Sequence, residues 1–310
     1  EAEYSAIRSS YRRSFVRSAR ALNARVKEFC PDEIFLIILE QVVPFDLLYV
    51  RGNAKVSGII YGIMPLMERG WSWRQKLLRR LEYRWLLRKD RDGSLYILNS
   101  RKYADWFNAY CRTGKFRYLT DPVMPFPSSH VEPEHEPHAA RVFLHPGAMR
   151  SGKGTLTILD AIALLPVDLA RRFIFAGRIM DDIKEEFYRK YELLKGRGDI
   201  EVIDAFVGYD RLSSLFRECD AVLAPYRPSV QSSGIAGHAA LFRKPLIVFE
   251  DGFLGDLVRE NHLGVTVGGD SPEALAHALI DFECPPDYDP AAYVRSHSAE
   301  EFTRQIFENF

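Results

Sequence analysis

The chain has 310 residues, 47% of them hydrophobic, 27% charged and 13% aromatic, which is apolar material for about two α/β cores. No apolar run approaches the ~18 residues of a membrane span, and four cysteines without a CxxC pair read as reduced side chains of a cytoplasmic protein, not a disulfide or zinc framework. The net charge of zero hides two halves of opposite sign, 23 Lys+Arg against 12 Asp+Glu in residues 1–120 and 19 against 30 in residues 121–310, so two domains are expected.

In chain order, Glu1-Ala2-Glu3-Tyr4 opens on an arginine-rich stretch, not on the apolar core of a cleavable signal. Helices are expected at about 5–29, 74–89 and 101–112, with strands at 34–39, 56–63, 94–98 and 117–120. Residues 1–123 thus read as a small α/β domain that lacks the strand and glycine-rich turn with which a doubly wound domain opens. Residues 124–140, with four prolines and the histidines His130, His135 and His138, carry no hydrophobic period and read as a solvated linker, not a metal site. From 141 to 289 six apolar runs, at 141–145, 172–176, 200–203, 221–224, 245–249 and 264–267, alternate with helical patterns at about 155–165, 181–196, 209–218, 233–243, 253–261 and 271–282. Near-continuously apolar strands separated by helices predict a parallel, doubly wound sheet buried on both faces. Residues 290–310 read as one terminal helix docked through Tyr293, Phe302, Ile306 and Phe307.

The chemistry concentrates in Gly147-Ala148-Met149-Arg150-Ser151-Gly152-Lys153-Gly154-Thr155, which follows a strand and opens a helix. Glycines that allow close approach, free amides at a helix start and two cations together suit a phosphate group. The letters GxxxxGKGT also match a Walker A loop. A P-loop kinase needs in addition a carboxylate after a later strand to hold magnesium, and the later strands end on Gly177 and Pro225.

Five segments in order resemble the carboxy-terminal half of GT-B glycosyltransferases, in particular retaining family 4: VFLHPGAMRSGKGTLTILDAIALLP, RFIFAGRI, IEVIDAFVGYDRLSSLFRECDAVLAPYRPS, SSGIAGHAALFRKPLIVFEDGFLGDLV and GVTVGGDSPEALAHAL. The resemblance implies an α/β GT-B fold of two Rossmann-like domains facing a cleft. It implies glycosyl transfer from a nucleotide-sugar such as a UDP- or GDP-sugar, with retention and without a metal or other cofactor. Lys153 matches the family's Lys-Gly lysine and, with Arg150, Ser232, Ser233 and Gly234, would hold the donor diphosphate, Gly147, Gly152 and Gly154 shaping the loop. Phe206, Val207 and His238 fall where the family receives the nucleoside. The family's E-x7-E glutamates align with His238 and with about Val230–Ser232, none of which is glutamate. The catalytic residues are therefore unassigned, and a non-catalytic GT-B-like binding protein is the alternative.

The first half would serve the acceptor, a glycan or a lipid-linked one. Its basic stretches, Arg8, Arg12, Arg13, Arg17, Arg20 and Arg25, then Trp71, Trp73, Arg74, Lys76, Arg79, Arg80, Arg84, Trp85, Arg88 and Lys89, suit either an anionic membrane surface or plain solvated helix faces. No nucleic-acid motif accompanies them.

Overall fold

A computed structural model describes residues 21–38, 54–60, 72–74, 77, 81, 93–126, 140–196, 199–227 and 233–308. The chain divides into two compact units, Glu1–Thr120 with Phe302–Phe310, and Asp121–Glu301. Most of the two basic stretches lies outside the described residues. Of those that are described, Arg25 pairs with Glu28 at 2.6 Å and Trp73 is 69% exposed. Among the described residues no helix is long and apolar enough to cross a membrane.

The first unit carries β1 (Glu33–Leu36), β2 (Lys55–Ile60), β3 (Leu95–Leu98), α1 (Arg101–Cys111) and β4 (Phe116–Leu119). Its four strands are parallel and lie in chain order, β1-β2-β3-β4. Strands laid down in one direction leave no reversal of order, and so the described sheet has no switch-point crevice. Helix α1 begins where the Ser100 hydroxyl accepts from the Tyr103 N–H and ends at Arg112 in the left-handed region.

The second unit holds β5 (Arg141–Pro146), α2 (Thr155–Leu164), β6 (Arg171–Ala176), α3 (Lys184–Leu194), β7 (Asp199–Ile203) and α4 (Tyr209–Glu218). It continues with β8 (Ala221–Leu223), α5 (Ile235–Leu241), β9 (Leu246–Phe249), α6 (Phe253–Glu260), β10 (Gly264–Val267), α7 (Pro272–Ile280) and α8 (Pro290–Ser296). All six strands are parallel, in the order β10-β9-β8-β5-β6-β7. The chain thus winds one way from β5 to β7 and the other way from β8 to β10, with the reversal between β5 and β8.

Period-two alternation splits each central strand between two cores. Val142, Leu144, Ile174, Val222, Leu246 and Val248 face one, with Leu215, Phe216, Ala239 and Leu257 from the helices. Phe143, Phe173, Phe175, Leu223, Ile247 and Phe249 face the other, with Ile158, Ile162, Phe187 and Leu275. Each such side chain contributes roughly 1.5–3 kcal/mol by leaving water, so the sheet is a rigid base for the loops at its strand ends.

Two sequence expectations are corrected. Residues 290–310 form two helices, α8 and α9 (Ala299–Phe307). The break falls at His297–Ser298, where the Ser298 hydroxyl accepts from the Glu301 N–H and starts a new helix. Ser298 and Glu301 have the spacing of a capping box, a signal present in the sequence. The apolar residues divide accordingly: Tyr293 joins the second unit's core, Ile306 and Phe302 pack with Ile59, Tyr96, Leu98 and Leu119, and Phe307 is 70% exposed. Nor is every residue of the proline-rich segment solvated: Met124 is exposed, but Phe126 is not. Phe126 is 4% exposed in the second unit's core, its ring 5.2 Å from Tyr209, 4.5 Å from His238 and 5.6 Å from Phe242. His130, His135 and His138 lie outside the described residues.

Candidate functional site

In an open parallel sheet the crevice for a ligand lies beyond the carboxyl ends of the strands at the point where their order reverses. Here that point is bounded by the β5 exit, residues 147–154, and the β8 exit, Ala224-Pro225-Tyr226. The first loop is stitched to both neighbouring strand exits. Gly147 turns at φ +97° and its N–H donates to Ala176 O at 2.8 Å. The Met149 N–H donates to Arg178 O at 2.9 Å, and a Cβ on Gly177 would stand 2.0 Å from Gly147 O. On the β8 side, Gly154 has φ +69° and a Cβ there would meet Pro225 O at 2.0 Å, while the Arg227 N–H donates to Gly152 O at 3.2 Å. Between these anchors Ser151–Lys153 form one 3-10 turn, and the Ser151 N–H donates to the Asp182 carboxylate at 3.0 Å.

A cavity of about 460 Å³ opens at this reversal. Its polar lining is Arg150, Lys153, Tyr226, Ser233 and His238 with the backbone of Gly147 and Gly234, and its apolar wall includes Met180, Leu212, Phe216 and Ile235. No carboxylate is among the described lining residues. Lys153 Nζ sits 3.7 Å from the Tyr226 ring centroid, a cation–π contact. Burial first, then the Arg150 guanidinium, bring the Lys153 ammonium down to about 8. The Tyr226 hydroxyl is hydrogen-bonded to Ser233, and burial pushes its pKa up to about 12, so it keeps its proton. Neither Arg150 nor Lys153 forms an ion pair with a described carboxylate. Arg150 also lies within electrostatic reach of Asp182, which holds the Ser151 N–H, whereas half-buried Lys153 has no described carboxylate beside it, an arrangement suited to an anion.

Of the residues singled out in the sequence, Gly147, Arg150, Lys153, Ser233, Gly234 and His238 meet at this cavity. Gly152 and Gly154 shape the loop without lining it. Ser232, Gln231 and Val230 lie outside the described residues. Phe206, after β7, is 84% exposed, and Val207 packs partly buried against the core; neither lines the cavity. His238 is half-buried, its pKa lowered by burial, and its ring rests on Phe126.

Sequence reasoning missed Tyr226 and His145. Each directly follows or ends an apolar run at the switch point, a location that means something only once β8 is known to lie beside β5. His145 is 2% exposed, with Nδ1 2.8 Å from Leu223 O and Nε2 2.9 Å from Thr155 Oγ1. Burial, assisted by the Lys153 charge, lowers its pKa to about 4. The folded pKa lies below the unfolded value of about 6.5, so this stabilisation is complete above pH 6.5 and is lost as pH falls toward 4. His145 alone should cost about 2 kcal/mol of unfolding free energy between pH 7.5 and pH 5. Urea midpoints at those two pH values measure it, and a flat profile would contradict a neutral buried imidazole.

With that geometry in view, residues 140–282 match the family model Glycosyl transferases group 1. This segment is similar to that family. No curated protein sequence matches the chain. Solved structures match its fold. A glycosyltransferase from Rickettsia africae ESF-5 aligns at TM-score 0.70 and 16% identity, over 95% of this chain and 80% of the other. The UDP-forming α,α-trehalose-phosphate synthase from Burkholderia xenovorans aligns at TM-score 0.70 and 12% identity, over 96% and 78%. Anabaena Alr3699/HepE in complex with UDP-glucose aligns at TM-score 0.69 and 16% identity, over 94% and 80%. The fold is GT-B, two Rossmann-like units each built on a parallel sheet. Within the matched segment the lysine loop follows the first strand, and the cavity lies where the strand order turns.

Proposed function

We propose that the chain is a glycosyltransferase that moves a sugar from a nucleotide-sugar to a hydroxyl of a glycan or lipid-linked acceptor. The bond from the anomeric carbon to the diphosphate oxygen breaks, a bond to the acceptor oxygen forms, and the acceptor loses its proton. The departing diphosphate gains negative charge as that bond lengthens, and fixed cations near it lower the barrier. The observation that carries the reading is the placement of Lys153 and Arg150, with no carboxylate in the described lining, at the switch-point cavity of the segment that matches the group 1 model. The UDP and UDP-glucose complexes of the similarly folded Alr3699/HepE favour a nucleotide-sugar as the donor. The family resemblance favours retention of configuration and metal independence.

The test is a thermal-shift panel of UDP, GDP, TDP, ADP and ATP, with EDTA and with magnesium, because a ligand that binds only the native state raises its apparent stability. A nucleoside diphosphate is expected to stabilise the protein in EDTA. Stabilisation by ATP that requires magnesium would favour a P-loop kinase instead, since there the metal bridges the β- and γ-oxygens. Release of the diphosphate from the matching nucleotide-sugar then separates turnover from binding alone. Binding without turnover is the second reading, favoured by the lack of a carboxylate in the described lining.

A further inference from the structure

The eight-residue loop that carries Arg150 and Lys153, residues 147–154, is flanked by two residues joined by one side-chain hydrogen bond. His145, the second-to-last residue of strand β5, meets Thr155, the first residue of α2. A carbonyl oxygen only accepts, so the contact to Leu223 O requires the proton on Nδ1. Nε2 is then the acceptor, and the Thr155 hydroxyl donates to it. Both partners are buried, His145 at 2% and Thr155 at 0% exposure, so each bond forgone would leave an unsatisfied group away from water. Leu223 ends β8, and three residues later Tyr226 lines the opposite wall of the cavity. Tyr226 in turn carries the Lys153 ammonium on its ring and is bonded to Ser233.

We propose that His145 is a positioning residue: one imidazole locks the β5 exit, the β8 exit and the start of α2 together, so that Lys153 and Arg150 are held toward a bound diphosphate before it arrives. Preorganisation matters here because a loop ordered only on binding spends part of its interaction free energy on ordering. A neutral imidazole suits the position, since it supplies one donor and one acceptor without placing a carboxylate beside Lys153. The inference rests on the anion-site reading above for its consequence, and on the hydrogen bonds alone for the lock.

Thr155→Val removes the hydroxyl at almost unchanged volume, and Thr155→Ser restores it. In the ligand-free protein, amide hydrogen exchange of residues 147–155 and 224–227 should rise at least tenfold in Thr155→Val, with residues 171–176 unchanged, and return toward wild type in Thr155→Ser (a tenfold change corresponds to about 1.4 kcal/mol). Inorganic pyrophosphate, titrated in EDTA, should bind about tenfold more weakly to Thr155→Val and with restored affinity to Thr155→Ser. Unchanged loop exchange in Thr155→Val would remove the lock, and faster exchange with unchanged pyrophosphate affinity would remove its role in binding. A wild-type protein that binds no pyrophosphate overturns the anion-site reading and leaves the lock to be decided by exchange. Imidazole 15N shifts of the wild type decide the hydrogen bonds without any variant: protonated Nδ1 with bare Nε2 is expected, and the opposite tautomer or a charged ring overturns the proposal.

Discussion

Lys153→Ala is expected to weaken nucleoside diphosphate binding by about 1–3 kcal/mol, roughly 5–150-fold in Kd, the range for a charge-assisted hydrogen bond. The magnitude follows from the environment. Lys153 is held by the face of Tyr226 and by no described carboxylate, so its charge is not already neutralised within the protein. Burial that lowers its pKa to about 8 shows that the ammonium lacks solvent and gains from an anionic partner. The corresponding nucleoside should bind the variant and the wild type alike. Isothermal titration in EDTA measures both, and an unchanged diphosphate affinity would return Lys153 to a loop cation with no ligand.

Gly154→Ala should be the most damaging single methyl group in the loop. The residue sits at φ +69°, which L side chains rarely adopt, and the new Cβ would stand 2.0 Å from the backbone oxygen of Pro225. Backbone on both sides cannot give way as a flexible side chain would, so strain and displacement together should cost about 2–4 kcal/mol. That lowers Tm by roughly 5–15 °C for a unit of this size, and it moves Lys153 off Tyr226, so diphosphate binding should fall as well. Gly152→Ala is the control. No atom lies within 4 Å of a Cβ there and its φ is not in the left-handed region, so stability should stay within about 0.5 kcal/mol of wild type. If both variants melt alike, close packing of the loop against the β8 exit is not what holds it.

The sequence by itself determined the repeating unit. In the second unit apolar runs bounded by turn residues gave strands within one residue of those observed, as at Gly264–Val267, because burial on both faces of a parallel sheet leaves no alternative composition for a central strand; in the first unit the expected 34–39 ends three residues past β1. It also determined the loop from Gly147 to Thr155, since close backbone approach and positive φ demand glycine and the cations stand beside those glycines in the chain. The split of residues 290–310 was written there too, in the Ser298–Glu301 capping pair, but two short helices and one long one share the same apolar spacing.

Only the tertiary structure decided which strands are neighbours. A continuously apolar strand carries no mark of its partner, so that β8 inserts beside β5 could not be read from either run. That one adjacency creates the switch point and brings Tyr226 under Lys153. It gives His145, an isolated histidine in an apolar run, a carbonyl and a hydroxyl to join. Phe126 shows the same limit: an aromatic among prolines looks solvated until Tyr209, Phe216, His238 and Phe242 gather around it from elements 83 or more positions away. Local composition fixes what each segment must be, and long-range packing fixes what each side chain meets, because contact energies between distant segments are set by the sheet order and not by the chain between them.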